Sequence, residues 1–196
     1  MQHLQRRDLL SAIIAASGLL ALPVWAQRGP IRIFVGFPPG GLPDLVARAV
    51  AEQFKRSLEM PAVVENRPGA NGRIAGQAVK NGAADGTVFL VAPASGMVHL
   101  PHVYNDLGFD PLTDLAPVAQ LCENDFALAI NAKLPVQNLK EFAQWAQANP
   151  AQASFASPGT GSSPHMGELD AQGAGYLQAH VPYRGSNLGL ADVIGG

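Results

Sequence analysis

A single cysteine, Cys122, among 196 residues means that no internal disulfide can form, so any fold this chain adopts must hold without one. The simplest role for Cys122 is that of a small buried hydrophobe. Charge is also scarce, at 14% of residues with a formal net charge of -2, and no stretch gathers the Lys and Arg needed to neutralise a phosphate backbone. Nucleic acid is therefore excluded as a partner. After Val24 no apolar run is long enough to cross a bilayer. Several catalytic and cofactor signatures are missing as well. There is no G-x-G-x-x-G or Walker loop for a nucleotide, no G-x-S-x-G elbow for a serine nucleophile and no H-E-x-x-H for zinc. His99, His102, His165 and His180 form no metal-ligand pattern with the lone cysteine, and no cofactor or metal is expected. What the chain does have is 21 Gly, 16 Pro and 47% hydrophobic residues, a globular composition rich in short connections.

The first residues read as an address. Arg6-Arg7 precede an apolar stretch from Leu9 to Val24, and Val24-Trp25-Ala26 offers a small-residue cleavage point before Gln27. Residues 1–26 are expected to be a signal peptide, removed near Ala26, which sends the remainder to the periplasm. The paired arginines resemble a twin-arginine signal, although Gln5 precedes them and no lysine follows, so the export route stays open.

From Ile31 the hydrophobic pattern alternates between strand and helix. Ile31–Val35 reads as a buried strand, Leu45 to Leu58 as a helix, 62–65 as a second strand, 72–80 as a helix and 88–92 as a third strand. This βαβαβ order predicts a parallel sheet with right-handed crossovers. Apolar runs at 115–121 and 126–130 predict a strand crossing into a second lobe. That lobe would continue with a helix at 139–148, a strand at 153–156, a helix at 165–172, a strand at 177–181 and a helix at 187–194. The expected fold class is α/β with two lobes, 27–124 and 125–196, enclosing a cleft.

Three strand-to-helix loops are candidates for chemistry, because ligands of open α/β sheets bind beyond the carboxyl ends of strands. The first is Phe37-Pro38-Pro39-Gly40-Gly41-Leu42-Pro43-Asp44, where Gly40 and Gly41 permit close backbone approach and the helix start offers amide donors to an anion. Asp44 could cap that helix or reach a ligand. The second runs from Ser157 to His165, with Gly159, Thr160, Gly161, Ser162 and Ser163 as a second anion cradle, or with a serine simply capping the next helix. The third holds Tyr183, Arg184, Gly185 and Ser186; Tyr183 could line the cleft and Ser186 could donate to a ligand oxygen, while Arg184 reads rather as a solvated side chain. A fourth loop, 65–72, is expected to be fixed internally through Asn66 and Arg67.

These blocks resemble the Bug-type receptors of tripartite tricarboxylate transporters. The resemblance rests on 31–33 leading into 37–44, on 63–70, on Asp85-Gly86, on 109–111, on 156–165 and on 180–186. It implies a two-lobed type II periplasmic binding fold that is not an enzyme and needs no cofactor. It also implies a small carboxylate ligand; membrane transporter subunits or a sensor protein are the expected partners, and the chain is expected to be a monomer. Leu42-Pro43 stands where family members commonly carry Ser-Thr or Pro-Thr before the aspartate, so one ligand-side hydroxyl is expected to be lost. Family members also run longer, and the second lobe is expected to be incomplete, with weak stability and weak binding. The alternatives are a sensor subunit, an exported serine hydrolase using a serine of 157–163, or a remnant without function.

Overall fold

A computed structural model describes residues 29–162, 164, 165, 173, 175 and 178–196. The expected signal peptide, Ser163, most of the helix expected at 165–172 and the start of the strand expected at Leu177 lie outside the described residues. Every element below belongs to the unit Ile31–Gly196.

Strand β1 (Ile31–Val35) is buried along nearly its whole length, as a strand paired on both sides must be. It runs parallel to β2 (Ala62–Asn66) and to β3 (Val88–Val91), in the order β2-β1-β3. Helix α1 (Leu42–Leu58) buries Ala47 and Ala51 one turn apart against Ile31, Ile33 and Val35, with Val46, Val50 and Phe54 completing the contact. Small alanines let the helix backbone come close to the sheet. The other face of β1 is covered differently. Phe34 carries the guanidinium of Arg32 4.9 Å and that of Arg67 4.6 Å from its ring centre, and Glu65 binds both arginines. Those arginines hold the Glu65 carboxyl below its ordinary range, Arg32 most strongly, despite its partial burial.

Between β2 and helix α2 (Arg73–Lys80) lies a short 3-10 turn, Ala70–Gly72. Ala70, Asn71 and Gly72 are successively left-handed, at φ of 47°, 52° and 91°. The turn is pressed onto the end of β1: a Cβ on Gly36 would fall 2.3 Å from the Gly72 Cα, so no side chain fits at that crossing. Helix α3 (Ala94–Val103) follows β3 and carries buried Leu100, which packs with Leu107 and Phe109.

The second sheet pairs β4 (Ser154–Ser157) parallel with β5 (Ala179–Pro182). Helix α4 (Leu139–Ala148) precedes it. Asn138 caps α4 by accepting from the Glu141 amide at 3.0 Å, while Glu141 reaches back to the Gln137 amide at 2.7 Å, a reciprocal cap. Phe142 and Ala146 of α4 bury against Val136 and Ala153. Helix α5 (Ser186–Gly195) then packs on β4 at Gly189, where a Cβ would meet that of Ala156 at 2.7 Å.

Two expectations are corrected. Residues 115–130 form no strand; Leu115 and Ile130 at the ends pack on the neighbouring cores, but between them apolar side chains face solvent, with Val118 79% and Phe126 65% exposed. A strand needs a partner for its amides, and among the described residues none lies alongside this segment. Cys122, in the same segment, is exposed rather than buried.

Candidate functional site

The first-sheet glycine loop is organised from within. The N-cap of α1 is Gly41, not Asp44, and Asp44 is the third helical residue. Its carboxylate is only 2% exposed and is held by three donors: Gly40 N–H and Arg48 Nε at 2.9 Å on Oδ2, and Asn66 Nδ2 at 2.9 Å on Oδ1. Arg48 above all, with Gly40 and Asn66, lowers its pKa to about 2 against the cost of burial. Asn66 spans the remaining gap by donating to the Phe37 carbonyl at 3.1 Å. Pro43 has no N–H and the Asp44 amide already bonds Gly41 O, so the helix start offers few donors to an anion. Phe37 is buried in the first core.

The loop after β4 is held by side chains beneath it. Ser157, 2% exposed, has its Oγ against the Gly159 N–H at 3.2 Å and His180 Nε2 at 2.7 Å. His180 stacks on Phe155, with ring centres 4.8 Å apart, and lies 4.5 Å from the ring of His165. Burial, and then the charge of a neighbouring His165, push the His180 pKa down. His165 Nδ1 accepts the Gly161 N–H at 3.1 Å, and on the other side His99 Nδ1 donates to the Gly161 carbonyl at 3.1 Å. Ser162 Oγ accepts from the His165 amide at 3.3 Å, the bond of a helix cap. Gly159 and Gly161 turn the chain at positive φ.

These supports shape a cavity of about 230 Å³ between the loops of the two sheets. One wall is the left-handed turn Gly69, Ala70 and Asn71 together with Tyr104, the residue that ends α3. The facing wall is Pro158, Gly159 and Thr160 after β4, and Pro182, Tyr183 and Arg184 at and after the end of β5. The walls touch: Asn71 Nδ2 donates to the Thr160 carbonyl at 3.3 Å, and a Cβ on Gly159 would lie 3.5 Å from that of Asn71. Tyr183 donates its hydroxyl to Asp192 at 2.6 Å, a bond that raises the phenol's pKa, so its ring rather than its oxygen serves the wall. Among the described residues, Arg184 is the sole charged residue of the lining.

Of the residues singled out from sequence, Gly159, Thr160 and Tyr183 meet at this cavity. Ser157, Gly161, Ser162 and His165 lie behind it as its scaffold. Gly185 packs against Pro38, where a Cβ would sit 3.0 Å from the proline ring, so the first-sheet glycine loop meets the loop after β5 beside the cavity. Gly40, Gly41, Asp44, Phe37 and exposed Ser186 are outside the lining. Asn71 and Tyr104 were not singled out. Their only sequence signal is the Asn71-Gly72 pair, which favours left-handed backbone.

Ser157 and His180 do not make a catalytic pair. The serine is buried away from the cavity, and among the described residues no carboxylate bonds His180 to orient it. Among those residues there is also no cluster of three or more His, Cys, Asp or Glu able to hold a metal ion.

Two parallel sheets whose strand-end loops line a small cavity of mixed polar and apolar character make this an open α/β fold with its candidate site at the carboxyl ends of its strands. The sequence profile of the tripartite tricarboxylate transporter family receptor matches residues 46–196, and the chain belongs to that family. It is 33% identical, over 202 aligned residues, to the UPF0065 protein in the gbd 5'region of Cupriavidus necator, covering 100% of this chain and 61% of that one. Its fold is similar to MatC (Rpa3494) from Rhodopseudomonas palustris with bound malate, at TM-score 0.78 and 26% identity over 88% of this chain and 57% of the other. It is also similar to R. palustris Rpa4515 with adipate, at TM-score 0.71 and 27% identity over 85% and 56%. The chain thus spans about three fifths of the length of these relatives.

Proposed function

We propose that this protein is a periplasmic receptor that captures a small carboxylate and presents it to the membrane subunits of a tripartite transporter. The observation that carries this reading is the inter-sheet cavity with Arg184 as its sole charged lining residue among those described. A guanidinium offers a planar fork of donors that matches a carboxylate; Asn71, Thr160 and backbone groups suit the ligand's other polar atoms, and the tyrosine rings and prolines its carbon chain. The malate and adipate carried by MatC and Rpa4515 belong to the same chemical class. Burial of Ser157, and a His180 imidazole to which no carboxylate among the described residues is bonded, support binding without catalysis. The division into lobes at 27–124 and 125–196, a monomeric state and export through residues 1–26 complete the reading. Since the two walls touch through contacts such as Asn71 to Thr160, a ligand bonded to both would favour the closed arrangement.

A thermal-shift screen of the chain from Gln27 onward, against di-, tri- and monocarboxylates at millimolar concentration, tests the proposal. Micromolar affinity would raise the midpoint by several degrees, and Arg184→Gln should abolish the rise while leaving the ligand-free midpoint within about 2 °C. An unchanged rise in Arg184→Gln would remove Arg184 from the site; no response to any acid would overturn the receptor reading.

A further inference from the structure

Arg73 is the first residue of α2 and directly follows the left-handed turn that lines the cavity. Its guanidinium lies 5.1 Å from the ring centre of Tyr104, the aromatic on that same wall. Its Nη1 donates to the Asp106 carbonyl at 2.9 Å, two residues beyond Tyr104. Among the described residues the Nε is buried with no hydrogen-bond partner, and the contacts that hold the group are the ring and the Asp106 carbonyl. Tyr104 sits at the end of α3, its amide bonded to Leu100 O at 3.1 Å. One side chain therefore ties the two first-sheet parts of the wall to each other. The other lining residues of that wall are Gly69, Ala70 and Asn71, all smaller than tyrosine, so the ring is the bulk that limits the room on this side.

We infer that Tyr104 sets the length of acid the cavity accepts, and that Arg73 is the positioning residue that holds the ring in place. This rests on the receptor reading and adds to it a determinant of ligand size. A cation stacked on a ring fixes its plane without a hydrogen bond, and an aromatic wall fixed in this way discriminates by a few methylenes.

The test is the ratio of affinities for a six-carbon and a four-carbon diacid, adipate and malate, measured by calorimetric titration of the chain from Gln27 onward. Tyr104→Ala should shift the ratio toward adipate by about tenfold, since two methylenes gain room. Arg73→Gln should shift it the same way by about three- to fivefold, the size of a lost cation–π contact. Tyr104→Phe, which keeps the ring, should stay within twofold of wild type, and Arg73→Lys should recover part of the Gln effect. A purely structural role would weaken both acids together and leave the ratio fixed. Should Tyr104→Ala fail to fold, Tyr104→Leu carries the same expectation. A ratio unchanged in the Tyr104 and Arg73→Gln variants, with wild type still binding, would sink this inference alone; wild type binding neither acid would overturn the receptor reading and this inference with it.

Discussion

The two sheets meet at one cavity but are built to different standards. In the first, β1 is paired on both sides, backed by α1 on one face and by the Arg32-Glu65-Arg67 cluster on the other. In the second, among the described residues, β4 and β5 pair with each other and no further strand, β5 is largely exposed, and the loop after β4 is held by histidine and serine hydrogen bonds. Apolar burial is insensitive to pH, whereas imidazole hydrogen bonds change near neutrality. The contrast places a cavity wall next to the apolar first core on one side and, on the other, a wall carried by a small sheet whose loop rests on imidazoles and which bears Arg184.

The largest expected effect is in the first sheet. Ile33→Ala, at a position 0% exposed in the first core, should cost roughly 2–5 kcal/mol by chemical denaturation. Val181→Ala on β5, 39% exposed, should cost roughly 1 kcal/mol or less, and equal losses at the two sites would break the comparison.

Next comes acid. Asp44 has a folded pKa of about 2 against an ordinary 3.8, so its contribution is present above 3.8 and is lost as pH falls through that value toward 2. Its size is about 2 kcal/mol, less what partly exposed Arg48 loses to solvent screening, and Asp44→Asn should flatten that limb of the stability curve. His180 behaves in the opposite chemical sense but with the same slope. Its folded pKa is lowered from 6.5, the unfolded chain takes up the proton first, and stability therefore falls as pH drops below about 6.5. Hydrogen exchange on β4 and β5 should accelerate in that window, beyond its intrinsic pH trend, while β1 stays protected down to about pH 4; His180→Gln should remove the early loss. The smallest effect belongs to Phe126→Ser, in the exposed segment between the sheets, which should change stability by less than about 0.5 kcal/mol.

Much of this architecture was legible in the residues. The βαβαβ run needed only the β-branched cluster of Ile31–Val35 and its helical neighbours, and α4 was bounded as Leu139–Ala148 by its spacing after Asn138. Helix α3 was not legible, because Gly96 and Pro101 inside it read as breakers and what offsets them is tertiary packing of Leu100 and Met97 on Leu107 and Phe109. Residues 115–130 misled in the other direction: apolar alternation marks a strand only where a partner exists. Of the cavity's lining, Gly159, Thr160 and Tyr183 could be read from their place after strands. Asn71 and Tyr104 could not, since what brings them together is the left-handed turn and the Arg73 stack. In the glycine loop the aspartate is engaged by Gly40, Arg48 and Asn66; the first two lie four residues away, and only Asn66, 22 residues on, is too distant in sequence for spacing to reveal.

The most direct measurement is a crystal structure of the chain from Gln27 onward grown with malate or adipate. The account predicts the acid between the turn at Asn71 and the loop at Thr160, with one carboxylate on the Arg184 guanidinium. An acid bound instead at the Gly40-Gly41 loop, away from Arg184, would contradict it.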